Sequence, residues 1–161
     1  DALPLRPVDG ASAADAAARL ERLHTHTLFY LAQVYAHLGQ PRQSATHAHA
    51  TLRRQLEGDS PEFERHEWCK NAQSLAAYYT SERAFDVAEH CLHAAERVIS
   101  GIPSAQRRDD SGEPVEKYAE LRANLHLAWA ELHRAVLKEA ASAAGAGTDA
   151  DGGAVGGGQA G

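Results

Sequence analysis

Apolar side chains recur at helical spacing along most of the chain and mark out five helices. The first runs from Ser12 to Leu38, where Ser12 and Asp15 can satisfy backbone N–H groups at a helix start and the alanines that follow cost little side-chain entropy. Gly39 suits a left-handed stop and Pro41 the opening position of a second helix, which ends near Glu57. Ser60 and Pro61 predict a third start, with Phe63, Trp68, Ala72, Leu75, Ala76 and Tyr79 on one face and a break around Ser81 to Arg83. Phe85, Ala88, Leu92, Ala95 and Ile99 line a fourth helix, closed by Gly101 and Pro103, and Ser104 to Gly112 reads as a polar loop. Pro114 can open a fifth helix, whose stripe is Tyr118, Leu121, Leu125, Ala128, Trp129, Leu132 and Val136 and which fades after Ala141.

The two ends differ from the middle. Residues 1–11 hold Pro4, Pro7 and Gly10 and read as a linker, and residues 143–161 are so rich in alanine and glycine that they read as a disordered linker. Residues 12–142 form the helical part. The chain holds no methionine, even at position 1, which predicts a segment of a larger protein. Core size points the same way: ordering each residue costs about 1–2 kcal/mol of backbone entropy. Each large side chain returns only about 1.5–3 kcal/mol on burial, so one helix pair must stack on neighbours.

The second helix pair repeats the first. Leu31, Ala32 and Tyr35 recur 44 residues later as Leu75, Ala76 and Tyr79, and Pro41, Ser44, Ala48 and Thr51 match Phe85, Ala88, Leu92 and Ala95. Large and small residues thus fall in the same places twice. The pattern resembles the tetratricopeptide repeat, although that repeat's period is about 34 residues. The expected fold is all-α, a tetratricopeptide-like solenoid of two helix pairs plus a fifth helix.

Charge and composition narrow the partners. A net charge of −6 and a pI near 5.9 disfavour nucleic acid, which needs a clustered positive face, and suit a basic protein partner. No apolar run of about 18 residues and no basic-then-apolar leader appears, so neither a membrane span nor a secretory signal is supported. Cys69 and Cys91 offer neither a disulfide framework nor a zinc pattern, which predicts buried thiols in a reducing compartment.

Particular strings carry a closer likeness. Thr25-His26, Tyr30-Leu31-Ala32-Gln33-Val34-Tyr35 and His37-Leu38 are followed in order by the run Thr51 to Glu57 and by Glu67-Trp68 with Asn71-Ala72. Ala88-Glu89-His90-Cys91-Leu92 with Ala94-Ala95 completes the series. From about His24 to Ile99 this resembles the KIF-binding protein family; the likeness is weak from Glu113 to Leu137 and absent in the tail. The resemblance implies a cytoplasmic, cytoskeleton-associated regulator, with the cilium as a second location. Such a protein clasps a kinesin motor domain and keeps it off the microtubule. The alternative is a scaffold of the same fold for other protein partners. A receptor for terminal carboxylates is disfavoured, because the position that needs asparagine is Gln33 in one repeat and Ala77 in the other.

In such solenoids the first helix of each pair lines the concave face. The candidates for partner contact are therefore His26, Phe29, Gln33 and His37, then Lys70, Gln73 and Thr80, with Phe29 the natural anchor if exposed and otherwise packed on a preceding repeat. Glu57, Asp59, Glu62, Glu64 and Glu67 cluster at one turn, where they either face a basic partner or favour the helix dipole. Trp68, Trp129 and Cys69 are expected in the core. His90, His93 and Asp86 are the one set with metal-ligand spacing, and surface histidines or an ion pair are the preferred reading there. No phosphate loop, nucleophile elbow or paired-carboxylate motif is present, so no catalysis and no cofactor are expected.

Overall fold

A computed structural model describes residues 10–57, 64–109, 112 and 115–146. Six helices follow in order, α1 (Gly10–His37), α2 (Pro41–Glu57), α3 (Arg65–Ser81), α4 (Phe85–Ser100), α5 (Ser104–Arg107) and α6 (Glu116–Ala146), with no strand among the described residues. They build an all-α solenoid. The five long helices are those the periodicity predicts, and the single turn α5 stands where a polar loop was expected. Several expectations lie outside the described residues: most of the N-terminal linker, the Ser60–Pro61 start with Asp59, Glu62 and Phe63, the Pro114 opening and the tail from residue 147.

Boundaries shift in three places. α1 begins at Gly10, so Ser12 lies inside the helix and not at its cap, and α6 continues through residues 143–146, past the predicted fade. Gly101 keeps a right-handed φ of −81° and donates to Arg97 O and Val98 O; α4 therefore ends without a left-handed residue, and the chain turns at Pro103.

The two hairpin turns coincide bond for bond at the 44-residue offset. Gly39 N–H donates to Ala36 O and Gln40 N–H to Tyr35 O; Arg83 N–H donates to Thr80 O and Ala84 N–H to Tyr79 O. This paired 5→2 and 6→1 closure needs a left-handed residue at its centre. Gly39 supplies it at φ 67°, and Arg83 adopts φ 61° despite its Cβ. A side chain there costs about 1–2 kcal/mol. Gly39→Ala is accordingly expected to lower the unfolding free energy by about 1 kcal/mol, although a Cβ meets no atom within 4 Å. Arg83→Gly should raise it by about 0.5 kcal/mol, the relief of strain exceeding the loss of an exposed pair with Glu139. Urea denaturation of the two variants checks both signs.

Small residues set the packing between helices. Ala72, Ala76, Ala88 and Ala95 are fully buried where α3 crosses α4, and in the first pair Ser44 Oγ donates to Ala32 O at 2.9 Å across the equivalent crossing. Tyr35 and Tyr79 are both half-buried, Tyr35 stacking on His47 of α2 and Tyr79 meeting Tyr78 of its own helix and His49 of α2. α6 packs against both α3 and α4, burying Leu121, Leu125 and Leu132. The first pair is joined differently. Among the described residues, α1 packs on α2 alone, and α2 reaches the remainder at α3, where Trp68 Nε1 donates to Leu52 O at 3.0 Å.

Candidate functional site

One side of α1 packs on α2 through Ala32 and the half-buried Leu28, Leu31 and Tyr35. No other described helix covers the opposite side. Leu20, Leu23, Tyr30, Val34 and Leu38 recur at three-, four- and seven-residue steps there, with Tyr30 65 % and Val34 50 % exposed. Phe29 beside them is 42 % exposed, and its ring meets that of Tyr30 edge to face at 5.6 Å. His26, Gln33 and His37 lie exposed around the same stripe.

The internal repeat provides a control for this face. At the positions of Leu20, Leu23, Thr27, Tyr30, Val34 and Leu38, α3 and its flanks carry Glu64, Glu67, Asn71, Ser74, Tyr78 and Glu82. The fold therefore does not require apolar residues there, because the second copy satisfies the same backbone with mostly polar ones. An apolar stripe of this kind on a water-facing surface marks a contact surface.

The candidates on α3 fare differently. Lys70 is exposed, with Nζ 3.8 Å from Glu67. Gln73 is only 8 % exposed and its amide donates to Leu121 O at 3.2 Å, so it fastens α6 to α3 and is not available to a partner. Thr80 is half-buried and its hydroxyl donates to Ala76 O in its own helix. The α1 candidates thus share one face, while those on α3 do not form a second. Tyr30, Val34 and Leu38 were not among the candidates read from the sequence; comparing each helix position with its copy 44 residues on is the signal that singles them out as exposed apolar residues.

The remaining groups have structural work. Glu64 accepts from His66 N–H at 3.2 Å and caps α3, and Glu57 pairs with Arg53 at 2.7 Å. His93 sits 3.6 Å from each of Glu89 and Glu96 and edge-on to Trp129, which stacks on His133. Trp129 is half-buried against the core, whereas Trp68 and Cys69 are inside it. No helix among the described residues is long and apolar enough to cross a membrane.

The sequence profile described as "KIF-1 binding protein C terminal" matches residues 66–156, more than half of the chain. The chain belongs to the KIF-binding protein family. Among curated relatives, the KIF-binding proteins of Xenopus tropicalis and Danio rerio are 43 % identical over 65 % of this chain and 39 % identical over 76 %. The Homo sapiens protein is 35 % identical over 69 %. In return the chain spans 17 %, 20 % and 18 % of those three proteins, about a fifth of their length. No solved structure matches it. The likeness read from His24 to Ile99 thus extends over α6, where the sequence strings alone gave little. In this member of the KIF-binding protein family, α3, α4 and α6 lie within the profile match, while the apolar face of α1 precedes it.

Burial also sets the cysteine chemistry. It pushes the Cys69 thiol up to about 12 and Cys91 up to about 11, both from 9.0, and Cys69 Sγ lies 3.7 Å from Ala95 O. Because the folded state holds these protons more tightly, their contribution to stability is complete below pH 9 and is lost as pH rises through the folded values. Unfolding midpoints should fall steadily above about pH 9, and both thiols should resist alkylation by iodoacetamide at about pH 8 until denaturant is added. Mass spectrometry of the alkylated chain checks this.

Proposed function

We propose that this segment contributes a kinesin-binding surface to a larger solenoid. The exposed face of α1, with Tyr30 and Val34 at its centre and His26, Phe29, Gln33 and His37 around it, meets the motor domain. The observation that carries this reading is the apolar stripe on α1 at positions that are mostly polar in the repeated copy. The relatives' names supply the partner, since each is a KIF-binding protein. Charge agrees: a chain of net charge −6 complements the basic side with which a kinesin holds an acidic filament. Covering that side keeps the motor off its track, which makes the whole protein a cytoplasmic regulator of motor attachment and not a catalyst.

Purified kinesin motor domains, offered to the immobilised chain with and without microtubules, test the reading. Capture that microtubules compete away is the expected result. Failure of every motor domain to bind both this chain and the longer protein that contains it would discard the kinesin assignment.

A further inference from the structure

We propose that the seam between the first helix pair and the rest of the chain is a proton-sensitive joint, governed by His49 where α2 meets Tyr79 and faces His90 across an open cleft. Among the described residues the first pair touches the remainder through α2 against α3 alone, so what happens at that seam bears on how the two halves sit. Beside the seam lies a cleft of about 380 Å³, floored by Trp68, Ala72 and Leu75 and rimmed by His49, Arg53 and His90. Here α2 and α4 stand apart without touching as helices, and their facing side chains decide how far they open.

His49 is half-buried, its Nδ1 3.4 Å from Tyr79 Oη and its ring edge-on to that phenol at 6.0 Å. A neutral imidazole protonated on Nε2 accepts the tyrosine hydroxyl at Nδ1, whereas an imidazolium cannot accept at all. The groups around it give a positive charge no welcome. On its own helix stands Arg53, whose Nε is bound to Glu57 Oε1 at 2.7 Å, so that carboxylate is already engaged by a cation. α3 presents Tyr79, with Tyr78 against it, and α4 presents His90 and the buried thiol of Cys91. Desolvation, then His90 and Arg53, hold the His49 pKa below 6.5, in agreement with this arrangement.

Protonation therefore reverses that bond, Nδ1–H now donating to Tyr79 Oη, and adds a charge beside two basic groups; moving α2 away from α4 relieves the charge by letting water into the cleft. Since the folded pKa is lowered, the closed joint has its full stability above the unfolded value of 6.5 and loses it as pH falls through the folded value. The consequence is a change in the angle at which α1 is presented to anything it binds. The joint works this way whatever that partner is.

Spin labels on Arg42→Cys in α2 and Glu131→Cys in α6, both exposed, read the separation of the two halves, because the two native thiols are buried. The distance distribution should broaden toward longer values between about pH 7.5 and about pH 5.5, the range in which histidine charges. His49→Gln should abolish the change and His24→Gln should leave it intact. An unchanged distribution in the labelled parent, or the same broadening in His49→Gln, overturns the proposal. Side-chain NMR titration of His49 in the unaltered chain decides independently of how the variants fold: a midpoint below 6.5 supports the joint, and one at or above it refutes it.

Discussion

Replacing Tyr30 and Val34 together with aspartate is expected to weaken capture of a kinesin motor domain at least about 30-fold while leaving the helical content unchanged. The two parts of this expectation have separate causes. Both side chains are mostly in water, so the folded state loses little packing, and aspartate in a helix interior costs about 0.5 kcal/mol apiece. At an interface centre, loss of an anchoring aromatic costs about 2 kcal/mol or more, which corresponds to about 30-fold in affinity. The two carboxylates then add a desolvation cost if the partner covers them. Glu67→Ala and Ser74→Ala, at the places on α3 that match Leu23 and Tyr30 of α1, should change capture less than about twofold, since surface positions outside an anchor contribute little. Titration of labelled motor domain, with circular dichroism on the same samples, makes the measurement. Equal loss from the α1 and α3 substitutions would remove α1 as the contact face.

Trp68→Ala should be the most damaging single change to the fold. The side chain is 4 % exposed where, among the described residues, α2 meets α3, and its indole N–H donates a second hydrogen bond to Leu52 O inside α2. Truncating a buried tryptophan costs about 3–5 kcal/mol, and the lost hydrogen bond adds about 0.5–1.5 kcal/mol. Against a typical domain stability of about 5–15 kcal/mol, the sum removes much of the margin. Trp68→Phe separates the contributions, keeping most of the packing and losing the hydrogen bond, with an expected cost of about 0.5–1.5 kcal/mol for the bond. Urea denaturation gives the size of each step. A loss under about 1 kcal/mol for Trp68→Ala would mean that the seam is held elsewhere.

Local signals were enough for the long helices and the first turn. Gly39 readily takes the left-handed conformation that ends a helix and Pro41 has the fixed φ that opens one, so their order announces a stop followed by a start. The second turn was legible as a break but not in its chemistry. Its left-handed residue is Arg83, and only the matching hydrogen bonds reveal the same motif. Ile102 and α5 were hidden for a different reason. One turn has no period to detect, and Ile102 lies between Gly101 and Pro103, yet it is 1 % exposed within the shared core.

The candidate surface divides in the same way. Helical spacing alone places His26, Phe29, Gln33 and His37 on the exposed side of α1, which no other described helix covers. The same reasoning failed for Gln73, whose amide meets the carbonyl of Leu121 from α6, a partner 48 residues away that no local pattern discloses. Tyr30 and Val34 were passed over because large apolar residues are usually interior. Their exposure follows from how the first pair is joined, which is a tertiary fact.

The unequal lengths of α1 and α2 have a mechanical consequence. At about 1.5 Å per residue, the 28 residues of α1 extend about 42 Å and the 17 of α2 about 26 Å. Arg54 pairs with Glu21 near the end of the shorter helix, so among the described residues the stretch of α1 before it extends past its clamp as a cantilever. Tilting the clamp by about 5° swings a free arm of about 16 Å through about 1.4 Å at its tip, comparable to the tolerance of a close-packed contact. Side chains at the root of α1 therefore govern how accurately its far end is aimed, without touching whatever it is aimed at.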